Sequence, residues 1–193
     1  MKIFSSLKMF FGLLVLVGGI YPLIITGGAL LTMKEKASGS LIIKEGKVVG
    51  SRLIGQQFEN EKFFWPRPSE VGYNPLPSGA SNLGPTSQKL SEAVQARKLR
   101  LAKSHGTADF ALIPSDLLFA SASGLDPHIS VEAALFQCDR IARARHLKGE
   151  AGRQLIVDLI TKHTEKPLLG FIGCPRINVL ELNLALEELQ HNG

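Results

Sequence analysis

The residues best equipped for chemistry lie between positions 121 and 138. A serine nucleophile of the hydrolase type needs a strained Gly-x-Ser-x-Gly elbow. Here Ser123 precedes Gly124, but Ser121 stands where the first glycine is required. The elbow is not formed. Asp126 and His128 offer one carboxylate and one imidazole, short of a three-ligand metal site and of an oriented triad. They read as an exposed loop at a helix entry. A P-loop grip on nucleotide phosphate requires Gly-x-x-x-x-Gly-Lys-Ser/Thr, a pattern the chain lacks. Ser78-Gly79-Ala80-Ser81-Asn82 is instead a stretch whose small residues let backbone pass close to another surface. Cys138 and Cys174 have neither C-x-x-C spacing nor companions for a disulfide framework, and read as bystanders.

The elements that must position these residues begin with an apolar run. Residues 9–33 contain no Asp, Glu, Lys or Arg among 25 positions, and at about 1.5 Å per residue such a helix outspans a bilayer core of roughly 30 Å. Lys2 and Lys8 ahead of it resemble the basic start of a signal peptide, but the run exceeds the usual 7 to 15 residues of such a segment and has no good cleavage site. We read residues 1–8 as a short tail, 9–33 as a retained transmembrane anchor, 34–40 as a tether and 41–193 as a soluble α+β domain. Pro22 is expected to bend the anchor, with the freed carbonyl met by a neighbouring helix or a side chain such as Thr26. Lysines on both sides of the span leave its orientation undecided by charge. The whole chain carries +5, but residues 34–193 only +3, with acids interspersed among the bases; this excludes nucleic acid as a partner.

In the domain, Leu41–Ile43 and Val48–Val49 around Gly46 predict a hairpin. Residues 66–87 hold five of the ten prolines and no periodicity. A basic helix follows Ser87 to about Gly106, with Arg97, Lys98, Arg100 and Lys103 facing outward. Ser130 caps a helix through about Leu147, with Leu135, Cys138, Ile141, Ala142 and Arg145 on one face. Leu155, Ile156, Leu159 and Ile160 mark the next helix, and 168–172 reads as a strand. Asn178 and Glu181 form a capping box ahead of a final helix in which Leu180, Leu182, Leu184, Leu186 and Leu189 supply two apolar diagonals.

Taken in order, seven short motifs resemble one family. They are Gly19-x-Tyr21-Pro22-Leu23, Gly50-Ser51-x-Leu53-Ile54-Gly55-Gln56 with Phe58, Phe64-x-x-Arg67-Pro68-Ser69, Tyr73-Asn74-Pro75, Ser78-Gly79-x-Ser81-Asn82-Leu83, Ala120-Ser121-x-Ser123-Gly124-Leu125-Asp126, and Asn178-x-x-Glu181-Leu182-Asn183-Leu184-Ala185-Leu186. Together they are similar to the C subunit of the bacterial Kdp potassium-transporting ATPase. The resemblance implies a non-catalytic accessory subunit of the inner membrane, single-pass with a periplasmic domain, assembling with a channel-like potassium-binding subunit and a P-type ATPase subunit. In that family the subunit is described as a catalytic chaperone that raises the ATP affinity of the ATPase subunit. No tightly bound cofactor is implied; ATP enters through the ATPase subunit. The resemblance also maps a nucleotide-contacting signature onto Ser123, Gly124 and Gln137, against which stands the reading that Gln137 satisfies backbone groups. The competing function is a stand-alone, membrane-anchored periplasmic binding or hydrolytic domain.

Residues 63–85 join an aromatic cluster to residue types that anchor interfaces. We assign partner contact to Phe64, Arg67, Tyr73 and Asn82, with Pro22 in the anchor. The alternative for this loop is an Ω-like cover over its own domain.

Overall fold

The computed structural model describes residues 2–191, without the side chains of Lys2, Gln190 and His191; Met1 of the tail and Asn192 and Gly193 of the domain lie outside the described residues. The chain divides into two compact units, 1–49 and 50–193.

The first unit is dominated by a helix long and apolar enough to cross a membrane, Ile3–Thr32. It consists of α1 (Lys2–Val15), a π-helical turn (Leu16–Ile20) and α2 (Tyr21–Thr32). The π turn lies directly before Pro22. Proline cannot donate to the carbonyl four residues back, that of Gly18, and its ring crowds that group. The preceding turn widens: the Tyr21 amide reaches back five residues to the Leu16 carbonyl, a local adjustment that helices use around proline. The expected aid from Thr26 is misplaced by geometry, because a hydroxyl reaches carbonyls three or four residues before it, and Gly18 is eight before. The short α3 (Lys34–Ala37) follows, then strands β1 (Leu41–Lys44) and β2 (Lys47–Ser51), paired as the expected hairpin. Glu45 and Gly46 both take positive φ, 51° and 75°, as a two-residue turn between right-twisted strands demands.

The second unit is mixed helix and sheet. An irregular segment leads to α4 (Gln88–His105), capped by Ser87 and ended by Gly106 at φ 69°. After a 3-10 turn (Phe110–Leu112) come α5 (Ser115–Leu118), β3 (His128–Ile129), α6 (Val131–Ala144), α7 (Gly149–Lys162), β4 (Thr164–Glu165), β5 (Arg176–Asn178) and α8 (Val179–His191). The sheet is antiparallel in the order β3-β5-β4, with Ile129 opposite Ile177 and Thr164 opposite Ile177. Around Ile177 the core gathers Ile129, Ile141, Ile156, Ile160, Leu182 and Leu186, each at most 2% exposed.

Helix faces depart from the sequence expectation in four places. On α6 the buried stripe runs through Ala134, Gln137, Cys138 and Ile141, which leaves Leu135 exposed. Leu155 on α7 and Leu189 on α8 are exposed as well. Arg97 on α4 does not face outward; it donates to the Leu118 carbonyl at 2.9 Å and to Glu70 at 2.6 Å. The stretch 168–172 is the tip of a hairpin, with positive φ at Leu169, Gly170 and Gly173 breaking the strand.

The α8 cap forms at Asn178, but the expected capping box does not close, because the Glu181 side chain turns to Arg52 and not to the Asn178 amide. The Asn178 Oδ1 accepts from the amides of Leu180 (3.1 Å) and Glu181 (3.3 Å), while its Nδ2 donates to the Arg52 carbonyl at 2.8 Å. The Glu181 carboxylate pairs with Arg52. Asn178→Ala removes a cap and a tertiary bond together. It is expected to cost about 1–2 kcal/mol, read as a fall of several degrees in the melting temperature of the detergent-solubilised chain.

Candidate functional site

The sequence-selected residues converge on a junction of irregular segments. Backbone without regular structure must find partners for its buried amides and carbonyls, and here each segment supplies them to another. The Gly55 amide donates to the Leu125 carbonyl at 2.7 Å, Ser121 to Pro68 at 3.1 Å, and Gly79 to Ser123 at 3.0 Å. Ser69 Oγ donates to the Gly124 carbonyl at 2.7 Å and accepts from the Tyr73 amide at 2.9 Å. The Tyr73 hydroxyl turns back to the Arg67 carbonyl at 2.5 Å, and burial pushes that phenol up to about 12.

Arg67 closes the junction through Asp126, Nη1 to Oδ2 at 3.0 Å. Its Nε is the one buried side-chain polar atom among the described residues without a hydrogen-bond partner. Burial pushes the Asp126 carboxyl up, but bonds from His128 and Arg67 outweigh it and hold the group below its ordinary value. His128 is not in an exposed loop: it pairs with Asn178 in β3, and its Nδ1 lies 3.5 Å from Asp126. Arg67, Ser123 and Asp126 border a shallow cleft of about 550 Å³.

Gly124 is a required glycine. Its φ is +70°, and a Cβ there would sit 2.5 Å from Val71 Cγ2 and 3.0 Å from the Gly79 carbonyl oxygen. Gly55 is another, since its Cβ would meet the Asp126 carbonyl at 2.6 Å. The Ser-Gly stretch therefore marks where two loops cross. Exposed Ser123 uses its Oγ locally, accepting from the Leu125 amide at 3.1 Å.

Gln137 is fully buried. Its Oε1 accepts from the Trp65 amide (2.7 Å) and from Arg140 Nη2 (2.7 Å), and its Nε2 donates to the carbonyls of Trp65 (3.1 Å) and Ala133 (3.1 Å). All four hydrogen-bonding positions of the amide are filled. Asn183 does the same for the preceding residue, accepting from the Phe64 amide at 2.8 Å and donating to its carbonyl at 3.0 Å. Two side-chain amides thus clamp two consecutive peptide units, one from α6 and one from α8.

Sequence reasoning missed the guanidinium that completes this clamp. Arg140, 1% exposed, donates to the carbonyls of Glu61 and Phe63 and lies 4.2 Å from the Trp65 ring centre. Burial lowers its pKa to about 10, so it remains charged at neutral pH. Arg145 adds bonds to the Lys62 and Leu186 carbonyls at 2.8 and 3.1 Å. The available signal was a Gln and an Arg three positions apart on an otherwise apolar face, and an Asn inside the leucine diagonals of α8.

The partner-contact residues are placed unequally. Phe64 is wholly buried in the core and presents no ring to a surface. Arg67 and Tyr73 are half-buried and bonded within the junction, Asn82 is exposed at φ 52°, and Pro22 is exposed on α2. Cys138 and Cys174 are free thiols, one buried and one exposed.

Fold and site together define a class: an α+β domain with a closely bonded loop junction, carried behind one helix long enough to span a bilayer. The family model described as K+-transporting ATPase, c chain, matches residues 3–188. The potassium-transporting ATPase KdpC subunit of Polaromonas naphthalenivorans (strain CJ2) is 47% identical over 188 residues, covering 96% of this chain and 93% of that protein. That of Geobacter sulfurreducens is 51% identical over 181 residues, covering 91% of each. That of Ralstonia nicotianae is 46% identical, covering 96% and 90%. The chain belongs to the KdpC family, and is a subunit of a K+-transporting ATPase.

Gln137→Ala orphans the Trp65 amide and one Arg140 donor, each at a cost of about 1–3 kcal/mol. Thermal unfolding should detect a large loss, whereas Ser123→Ala should stay within about 0.5 kcal/mol.

His105 supplies a pH dependence. Its ring stacks on Phe136 with centres 4.5 Å apart, its Nδ1 faces the Leu101 carbonyl at 2.8 Å, and its Nε2 accepts from Arg140 Nε at 3.2 Å. That arrangement needs the neutral ring. Burial, with the Arg140 and Arg143 charges adding to it and the Leu101 bond opposing it, lowers its pKa from 6.5 to about 4. Between these values the unfolded chain binds the proton and the folded chain does not. The contribution is full above about pH 6.5 and is lost as pH falls toward about 4. Melting temperature against pH should show this decline, and His105→Gln, which keeps an acceptor for Arg140, should flatten it.

Proposed function

We propose that this chain is a non-catalytic accessory subunit of a high-affinity, ATP-driven potassium uptake complex. It sits in the bacterial inner membrane through its single span, with its folded domain in the periplasm. Its partners are a channel-like potassium-binding subunit and a P-type ATPase subunit, and it acts as a chaperone that supports assembly and raises the ATP affinity of the latter. ATP is held by the ATPase subunit rather than at Ser123, Gly124 and Gln137. The observation that carries this reading is the filled amide of Gln137: with its four positions taken by Trp65, Ala133 and Arg140, no donor or acceptor is left for a nucleotide. An influence on nucleotide affinity is then transmitted through protein contacts. Exposed Asn82 on the loop and Pro22 on the anchor, the latter beside the small residues Gly18 and Gly19, are the surfaces suited to those contacts.

The test is ATP hydrolysis by the complex against ATP concentration, with and without this chain, alongside the chain alone. Omitting it should raise the half-saturating ATP concentration, Ser123→Ala should behave as the unaltered chain, and the chain alone should turn over no ATP. Hydrolysis by the isolated chain, or an ATP dependence indifferent to its presence, would sink the reading.

A further inference from the structure

We propose that the hairpin tip 168–172 is a second membrane contact, which lays its apolar side chains into the lipid–water interface. The sequence there is Leu168-Leu169-Gly170-Phe171-Ile172, and the four large side chains are 67%, 76%, 77% and 49% exposed in chain order. Four large apolar groups at one exposed turn, none of them in the buried core, form a contact surface rather than scattered surface residues.

Three observations favour lipid as the occupant. The first is backbone satisfaction. Lipid penalises amides without partners, and this tip meets four of its five within itself or its base: Leu168 and Ile172 exchange bonds at 3.0 and 2.9 Å, Gly170 donates to the Pro167 carbonyl at 3.0 Å, and Phe171 to the Leu168 carbonyl at 3.3 Å. The second is charge. The tip itself carries none, while at its base Arg176 pairs with the Glu165 carboxylate at 2.9 Å and Lys166 adds a net positive charge. Apolar apex and cationic base follow the order in which an anionic leaflet presents hydrocarbon and headgroups. The third is tethering. Residues 50–193 follow a membrane-spanning helix ending at Thr32 by fewer than 20 residues. The tip is thereby held at a high effective concentration near lipid, and a contact too weak to recruit a free protein suffices.

Native chemistry provides the probe. Cys174 is exposed two residues beyond the tip, while the other thiol, Cys138, is buried. The full chain is reconstituted alone into phosphatidylcholine vesicles with and without phosphatidylglycerol, at low chain-to-lipid ratio, and labelled at Cys174 with an environment-sensitive fluorophore. Blue-shifted emission quenched by lipids with a shallow acyl-chain nitroxide is expected, stronger in the anionic vesicles. Leu169→Ser with Phe171→Ser should reduce the lipid-exposed fraction about tenfold or more without changing the melting temperature, and Lys166→Glu should abolish the preference for anionic lipid. Aqueous emission from the unaltered chain in lipid overturns the proposal. So does a dry signal that arises only when another subunit is added, or only at high chain-to-lipid ratio, since the occupant is then a protein partner or a second copy. If the double substitution lowers the melting temperature, the quenching of the unaltered chain alone decides.

Discussion

A charged guanidinium buried against peptide carbonyls holds this domain together. Arg140 is met not by a carboxylate, among the described residues, but by the carbonyls of Glu61 and Phe63, the amide oxygen of Gln137, the imidazole of His105 and the face of Trp65. A buried charge is tolerated only when its donors are met. The peptide units of residues 61–65 have the converse need, since they run from the surface at Glu61 and Lys62 into the core at Phe64 and Trp65 without a strand or helix to pair them. Each need meets the other. The Gln137 and Asn183 amides complete the exchange by closing two bonds each on Trp65 and Phe64.

This exchange explains why so much of the chain between 50 and 87 can do without regular structure. Once 61–65 is fixed, Arg67 lies opposite Asp126, Ser69 reaches Gly124, and Ser121 reaches the Pro68 carbonyl. Five of the seven motifs, those between Gly50 and Asp126, therefore describe one junction rather than a set of separate sites. Their serines and glycines are selected by close approach and positive φ, and their charged residues by pairing across loops. That is the chemistry of a rigid surface, in keeping with a subunit that belongs to a larger ATPase.

The anchor shows a smaller version of the same logic. Pro22 disrupts the hydrogen-bond ladder of the apolar helix, and the π turn at Leu16–Ile20 lets the chain widen ahead of it, the Tyr21 amide reaching the Leu16 carbonyl. The Pro22 face itself is exposed.

Much of the framework was legible in the residues. The apolar run over 9–33, the Ser87, Ser130 and Asn178 caps and the Glu45-Gly46 turn are local in origin: each depends on hydropathy or on a side chain reaching its own backbone within four residues. What only the tertiary structure decided was non-local. That Gln137 faces the Trp65 backbone 72 residues away, and Asn183 the Phe64 backbone 119 residues away, follows from how α6 and α8 pack, which no short-range pattern encodes. An aromatic cluster suited to an interface became core at Phe64 for the same reason. Burial is a property of the packed whole, whereas caps and turns are properties of the chain.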